Sequence, residues 1–314
     1  MKISLVAPFY NEEEGIEEFF TTVIPILEQA GDSFEIICVN DGSSDKTLEL
    51  LSLWSGKRPE IVVVNLARNF GKEIALTAGL DHSNGDVVIP IDSDLQDPPE
   101  LIPEMIAKWR EGYDVVYATR TLRDMDSWFK RWSAELYYRL FNLVTDTKIP
   151  FNAGDYRLMD RRVVTTIGKM RERSRFMKGV FAWVGYRQTS VEYARPERFA
   201  GQESQSFKRL WKLAVDGIIS FSTIPLRIWS YVGLFIALLS FLYGLMIITK
   251  TLFFGVDIPG YASTMVIILF LGGVQLMSLG VLGEYIGRIF EEVKKRPLYV
   301  VDKPAEDDPR NDES

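Results

Sequence analysis

Val87-Val88-Ile89-Pro90-Ile91 runs directly into Asp92-Ser93-Asp94-Leu95-Gln96-Asp97-Pro98-Pro99. A short run that is apolar throughout reads as a strand buried on both faces. The acidic stretch at its carboxyl end is where an open α/β sheet places its ligands. Working outward, four more apolar runs repeat the pattern: Ile3–Ala7, Phe34–Val39, Ile61–Leu66 and Val115–Ala118. Between them amphipathic stretches predict helices at roughly 13–30, 45–55, 72–82 and 99–111. Strand alternating with helix implies a mainly parallel, doubly wound sheet.

The strand ends carry the polar motifs. Asp92 and Asp94, two apart, can aim oxygen at one hard cation, Mg²⁺ or Mn²⁺, which takes its remaining ligands from phosphate. Such an ion would offset a diphosphate's charge and stabilise a departing nucleotide as a Lewis acid. A lone Asp-x-Asp is common, and its weight here comes from its place among the other strand ends. After the first run stands Pro8-Phe9-Tyr10-Asn11-Glu12-Glu13, which also reads as a strand–helix turn with an acidic first turn. After the second stands Asn40-Asp41-Gly42-Ser43-Ser44-Asp45, either a carboxylate aimed at a base or ribose, or a tight turn in which Ser44 or Asp45 caps the next helix. After the third stands Arg68-Asn69-Phe70-Gly71-Lys72, whose cations either neutralise a diphosphate or are ordinary surface charge. Further on, Asn152-Ala153-Gly154-Asp155-Tyr156-Arg157-Leu158 places a carboxylate beside a glycine, or forms a turn closed by an Asp–Arg pair.

Composition narrows the class. The 314 residues are 47% hydrophobic with a net charge of −7, which argues against a nucleic-acid binder with a broad basic face. One cysteine, Cys38 in an apolar run, leaves no disulfide framework and reads as a buried inert thiol. One histidine, His82, leaves no multi-histidine zinc site and reads as a surface residue at a helix end. No Gly-x-x-x-x-Gly-Lys-Ser/Thr or Gly-x-Gly-x-x-Gly appears, which argues against phosphate-loop ATPases and dinucleotide oxidoreductases. Met1-Lys2 leads straight into Ile3–Ala7, too short for a signal core, so the first domain is expected in the cytosol.

The apolar excess is concentrated late. Ile228–Thr249 and Gly260–Gly283 are uncharged and long enough to cross a hydrocarbon core, which takes roughly 20 helical residues. Lys208, Arg209, Lys212 and Arg227 precede the first; Arg288, Lys294, Lys295 and Arg296 follow the second. The positive-inside rule puts both flanks in the cytoplasm. Residues 126–144, with Trp128, Trp132, Leu136 and Leu140 every fourth position, and residues 206–220, with Phe207 and Trp211 opposite Lys208 and Lys212, read as interface helices or as core-facing ones. The expected plan is a catalytic domain over 1–205, an interface region over 206–225, two membrane helices over 226–287, and a cytosolic tail over 288–314 that is polar and disordered from Asp302.

Taken in order, Pro8–Glu12, Asn40–Asp45, Asp92–Pro99, Asn152–Leu158 and Leu282-Gly283-Glu284-Tyr285-Ile286-Gly287-Arg288 resemble the family-two glycosyltransferases of the dolichyl-phosphate mannose synthase and bactoprenol glucosyltransferase type. The likeness covers residues 3 to about 301, and its last motif resembles the two-span bacterial branch. It implies a glycosyltransferase-A type nucleotide-binding domain with a mainly parallel sheet. By that resemblance Pro8, Tyr10, Glu12 and Asp41 would hold the nucleoside. Asp92 and Asp94, with Gln96 and Lys72 nearby, would manage metal and diphosphate. Asp155 matches the family's proposed catalytic aspartate. The donor would be a nucleotide-diphosphate sugar, UDP-glucose before GDP-mannose or another UDP-sugar. The acceptor would be a polyprenyl phosphate, undecaprenyl phosphate in this branch, at the cytoplasmic membrane. A homo-oligomer and a downstream flippase are compatible partners that the sequence does not identify. One segment departs from the family: Arg198-Phe199-Ala200-Gly201-Gln202-Glu203-Ser204-Gln205 keeps Arg198, Gly201 and Ser204 of a phosphate-contacting pattern but lacks its lysine. Arg198 and Ser204 are expected to meet the acceptor phosphate, alone or with Lys208. A processive polysaccharide synthase would carry more spans and a Gln-x-x-Arg-Trp motif. A tethered nucleotide-sugar binder without turnover would not need Asp92, Asp94 and Asp155 together.

Overall fold

The computed structural model describes residues 1–31, 33–120, 153–173, 175, 177–193, 224–254 and 260–302. These fall into two compact units, one containing the sheet and residues 296–302, the other a pair of long helices. The interface helices expected at 126–144 and 206–220 lie outside the described residues, as do Asn152, Arg198, Ser204 and Lys208.

In the first unit the chain runs β1 (Lys2–Phe9), α1 (Ile16–Ala30), β2 (Ser33–Asn40), α2 (Thr47–Lys57), β3 (Ile61–Asn65), α3 (Lys72–His82) and β4 (Val87–Pro90). It continues through a short 3-10 turn (Pro99–Leu101) into α4 (Ile102–Arg110) and β5 (Val115–Arg120). After the gap come β6 (Ala153–Asp160), α5 (Arg161–Lys169), α6 (Met177–Trp183) and β7 (Gln188–Tyr193). The seven strands form one sheet in the order β3-β2-β1-β4-β6-β5-β7. β1 pairs parallel with both β2 and β4, β2 with β3, and β5 with β7. β6 is antiparallel to its two neighbours, β4 and β5.

The apolar runs of β1, β2 and β4 are strands covered on both faces, while β3, at the sheet edge, leaves Val62 exposed. Ile3, Leu5, Ala7 and Phe9 belong to one core with Phe19, Phe20, Val23 and Leu27 of α1 and Ile102, Met105 and Ile106 of α4. The alternate side chains face α3, where Gly79 lies so close that a Cβ would stand 2.2 Å from Val6 Cγ1 and 3.1 Å from Val39 Cγ2. Only glycine allows that approach of helix to sheet. Cys38 is fully buried and unpaired, and burial pushes its thiol well above the ordinary range. His82 closes α3, its Nδ1 2.7 Å from the Ala78 carbonyl.

One expectation needs correcting. Residues 153–158 do not form a turn closed by an Asp–Arg pair; they are most of strand β6. The Arg157 guanidinium is buried and turns to backbone, donating from Nη2 to the Gly154 carbonyl at 2.6 Å, and it stacks over the Phe181 ring at 3.9 Å. Burial lowers its pKa to about 10, against the opposing pull of Asp155.

The second unit holds α7 (Ile224–Phe254) and α8 (Tyr261–Val293). Tyr231–Lys250 and Val266–Val293 are long and apolar enough to cross a membrane. In the chain by itself Phe235, Phe241, Leu252 and Leu276 are exposed.

Candidate active site

The carboxyl ends of β1, β2, β3 and β4 meet, and their motifs interlock. Asn11 adopts φ 54°, a left-handed conformation that asparagine tolerates better than most residues. From there its Oδ1 accepts the Ser44 N–H at 2.9 Å, and its own N–H donates to Ser43 Oγ at 3.0 Å. The Glu12 N–H donates to Thr47 Oγ1 at 3.0 Å. Asp45 accepts from Thr47 N at 3.0 Å and from Glu13 N at 3.2 Å, so from the position before the N-cap Lys46 it holds the first N–H of α2 and ties the two motifs together.

Asp41 is buried at the end of β2. Its two oxygens accept the N–H groups of Phe70 at 2.7 Å and Gly71 at 2.9 Å. Burial raises its pKa; these two bonds and the nearby Arg68 oppose the rise. Gly42, at φ +64°, lies against Arg68 and Asn69 so tightly that a Cβ would meet the Arg68 carbonyl carbon at 2.4 Å. The Asp41 turn and the 68–71 loop are thus one packed body. Arg68 stacks over the Phe70 ring at 4.3 Å, and Tyr10 stands half exposed at the end of β1.

Lys72 begins α3 and reaches across to β4. Its Nζ lies 2.6 Å from one Asp92 oxygen and 2.8 Å from the other, and 3.7 Å from Asp155 Oδ2. Burial would lower its pKa, but Asp92 and Asp155 outweigh that and make it more basic than an ordinary lysine. Pro8, Lys72, Asp92, Asp155 and Tyr156 line one small cleft. Asp155 Oδ1 is buried there without a hydrogen-bond partner among the described residues.

The loop after β4 is strained and pinned. Leu95 has φ 50°, unusual for a residue with a bulky side chain. Beside it the Gln96 N–H donates to Asp94 Oδ1 at 3.2 Å. Two buried tyrosines hold the loop from below: Tyr193 Oη donates to Asp97 Oδ1 at 2.6 Å, and Tyr156 Oη to the Pro98 carbonyl at 2.9 Å. In the sequence Asp97 is only one more acid of the Asp92–Pro99 stretch, and Tyr193 lies 96 residues away with no local signal.

Whether these groups suit a divalent cation follows from their charge. Glu12 is pushed above its ordinary pKa by burial and then by Asp94, Asp45 and Asp92, so four carboxylates crowd one mouth. Gln96 Oε1 is buried with no partner among the described residues, a free neutral oxygen at the same loop. No three His, Cys, Asp or Glu side chains among the described residues form a metal cage. Mg²⁺-type ions commonly rest on one or two carboxylates plus substrate phosphates, and the residues here fit that pattern.

Glu73, which no sequence motif marks, follows Lys72 in the first turn of α3. Its Oε2 accepts the Met177 N–H at 3.2 Å. Burial first, and then the Asp155 charge, raise its pKa from 4.5 to about 7. The folded chain therefore holds this proton more tightly than the unfolded chain. The stability is present in full below pH 4.5, falls as pH rises to about 7, and is level beyond. Glu73→Gln is expected to stabilise the chain at pH 8 by about 1–2 kcal/mol after discounting for partial exposure. That corresponds to roughly 2–8 °C in Tm, with no gain at pH 4. Thermal unfolding in detergent at the two pH values measures it, and a gain equal at both would show that the carboxylate's charge is not the cause.

Residues 4–168 match the profile of glycosyl transferase family 2, and residues 224–289 match that of the GtrB C-terminal hairpin. The chain is 56% identical over 302 residues to an uncharacterised glycosyltransferase of Synechocystis, covering 96% of this chain and 95% of that one. It is 52% identical over 309 residues to the SfII prophage-derived bactoprenol glucosyl transferase of Shigella flexneri, covering 98% and 100%. Among solved structures, the mannosyltransferase PcManGT of Pyrobaculum calidifontis is similar at a TM-score of 0.49 with 20% identity, covering 68% of this chain and 62% of that one.

Proposed function

Because the chain belongs to glycosyl transferase family 2 and is an enzyme of the glycosyltransferase-A fold, we propose that it transfers glucose from UDP-glucose to the phosphate of undecaprenyl phosphate, with inversion, at the cytoplasmic face of a membrane. The observation that carries this reading is the full-length likeness to a bactoprenol glucosyl transferase, joined to a cleft in which Lys72, Asp92 and Asp155 converge. In the reaction an acceptor phosphate oxygen attacks the anomeric carbon of the sugar. The bond from that carbon to the donor's phosphate oxygen breaks, and its electron pair leaves with the nucleoside diphosphate.

Pro8, Tyr10, Glu12 and Asp41 hold the nucleoside, with Asp41 acting in part through the 68–71 backbone it grips. Asp92 and Asp94 would hold a divalent cation, Mg²⁺ or Mn²⁺, with Gln96 nearby on the donor. When bound, that ion supplies positive charge for the leaving group. Lys72 adds a cation between donor side and Asp155. The acceptor phosphate is already anionic near neutral pH, so no strong base is required. Asp155 acts at the acceptor or the sugar, by orienting it or by taking a proton, and Arg198 and Ser204 meet the acceptor phosphate.

The test is a donor panel on the purified full-length chain with a short polyprenyl phosphate. UDP-glucose should give a glucosyl lipid whose formation stops in excess chelator. Turnover with GDP-mannose alone would overturn the donor assignment, and donor hydrolysis without lipid product would overturn the acceptor assignment.

The same reading places residues 1–225 and the tail from about 289 in the cytoplasm, with only the 250–260 region across the membrane. The basic flanks support it. So does the pairing of residues 300–302 with the catalytic sheet, since two spans return the chain to the side it left. In inside-out vesicles protease is expected to digest the tail together with the catalytic domain; a protected tail would contradict this topology.

A further inference from the structure

β3 is an edge strand, and an edge leaves backbone groups without partners. The stretch that follows α8 in the chain covers the carboxyl end of this edge. Leu66 and Val301 form an antiparallel bridge. The Ala67 N–H donates to the Val300 carbonyl at 2.9 Å, and the Asp302 N–H to the Asn65 carbonyl at 2.8 Å. On its other side the same stretch is held by Tyr299, whose hydroxyl donates to Asp81 Oδ2 at 2.9 Å near the end of α3. Arg173 Nη2 donates to the Arg296 carbonyl at 2.9 Å.

The contacts continue inward through side chains. Asn65 Nδ2 donates to Asp302 Oδ2 at 3.3 Å, and Asn65 Oδ1 accepts from Asn40 Nδ2 at 2.7 Å. With its amide so oriented, Asn40 presents Oδ1 to the Ser43 N–H at 3.3 Å. The Asn40 carbonyl accepts the Leu66 N–H at 2.9 Å. The relay therefore ends in the turn that contains Asp41 and Gly42, which are packed on the 68–71 loop. An asparagine whose amide is fixed at both ends cannot flip, so each link sets the orientation of the next.

We propose that Asp302 and Asn65 are positioning residues for the nucleotide: the Asp302–Asn65–Asn40 relay braces the Asn40–Ser43 turn and, through it, the Arg68–Lys72 loop in the shape that binds the donor. This rests on the reading that the turn holds the nucleoside. None of the bracing residues touches the reacting atoms, so their loss acts on donor binding and leaves the rate at saturation alone.

The experiment is calorimetric binding of UDP with Mn²⁺ to the full-length chain in detergent, beside a transfer assay on the same preparations. Asp302→Ala is expected to weaken UDP about three- to tenfold, the effect of losing one hydrogen bond, with kcat at saturating donor within about twofold of the parent chain. Asp302→Asn, which keeps an acceptor oxygen, should restore UDP affinity to within about twofold. Tyr299→Phe removes a contact of the brace that lies off the relay and should leave UDP binding unchanged. Asp41→Ala serves as the control for the nucleoside site and should lose UDP binding. Unchanged binding in Asp302→Ala while Asp41→Ala fails would overturn the inference alone. Equal weakening by Tyr299→Phe, or no rescue by Asp302→Asn, would also overturn it. Unchanged binding in both Asp302→Ala and Asp41→Ala would overturn the nucleoside placement, and the inference with it.

Discussion

Asp155→Asn is expected to lower turnover strongly while UDP affinity stays within about threefold; a loss of about 10²–10⁴-fold would mark a carboxylate that takes a proton in the reaction. A smaller loss would fit a group that only orients the acceptor, whose phosphate brings its own charge. The geometry motivates the split between rate and binding. Asp155 stands on β6, across the cleft from the strand ends that carry the nucleoside motifs, and its nearest charged partner is Lys72 at 3.7 Å. Its other oxygen is buried with no partner among the described residues. An amide keeps the shape but removes the charge. An interaction made mainly in the transition state lowers the rate without changing ground-state binding. The measurement is calorimetry with UDP beside a transfer assay. If binding collapses together with turnover, Asp155 belongs to the nucleotide or metal site.

Asp94→Asn is expected to lower transfer by at least about 10²-fold, the rate equivalent of roughly 3 kcal/mol of lost charge stabilisation. A neutral amide is a poorer ligand for a hard cation. The loop also has little freedom to compensate, since Leu95 is held at φ 50° and Asp97 is tied to Tyr193. Metal-dependent UDP binding should weaken in parallel, and excess chelator should reproduce the loss in the parent chain. Full activity of the variant, or of the parent in chelator, would defeat the metal assignment. Between the two variants the signatures differ: Asp94→Asn should impair binding and rate together, Asp155→Asn the rate alone.

β1 to β5 were legible as short, mostly apolar runs, and the position of Asp92–Pro99 followed from the strand before it. β6 was not. Gly154, Asp155 and Arg157 break the apolar pattern, and a buried arginine that stacks on Phe181 looks, in sequence, like half of an ion pair. β7 alternates Gln188, Ser190 and Glu192 with Val191 and Tyr193, too polar on one face to stand out. Within the site, Asp41, Asp92 and Asp155 could be marked as chemistry-bearing. Their partners could not, because the Phe70 and Gly71 N–H groups carry no side-chain signature. Glu73 gained its altered acidity from a fold that buries it beside Asp155. The Asn65–Asp302 contact joins an edge strand to residues beyond both apolar helices, a pairing that no local pattern encodes.

That last contact spans 237 positions, and it bears on how the chain is made. The amino-terminal sheet emerges first during synthesis, and domains fold in that order. Yet β3's edge cannot receive its final partner until the two long apolar helices have been translated. Until then the edge is open, the state most exposed to mispairing with another chain. The entropy of closing so long a loop grows only slowly with its length, but a hairpin seated in a bilayer would bring the end of the chain back to the face where it is needed. Membrane insertion would then act as the chaperoning step for the sheet domain, and a nascent chain arrested before Val301 should carry an uncapped sheet.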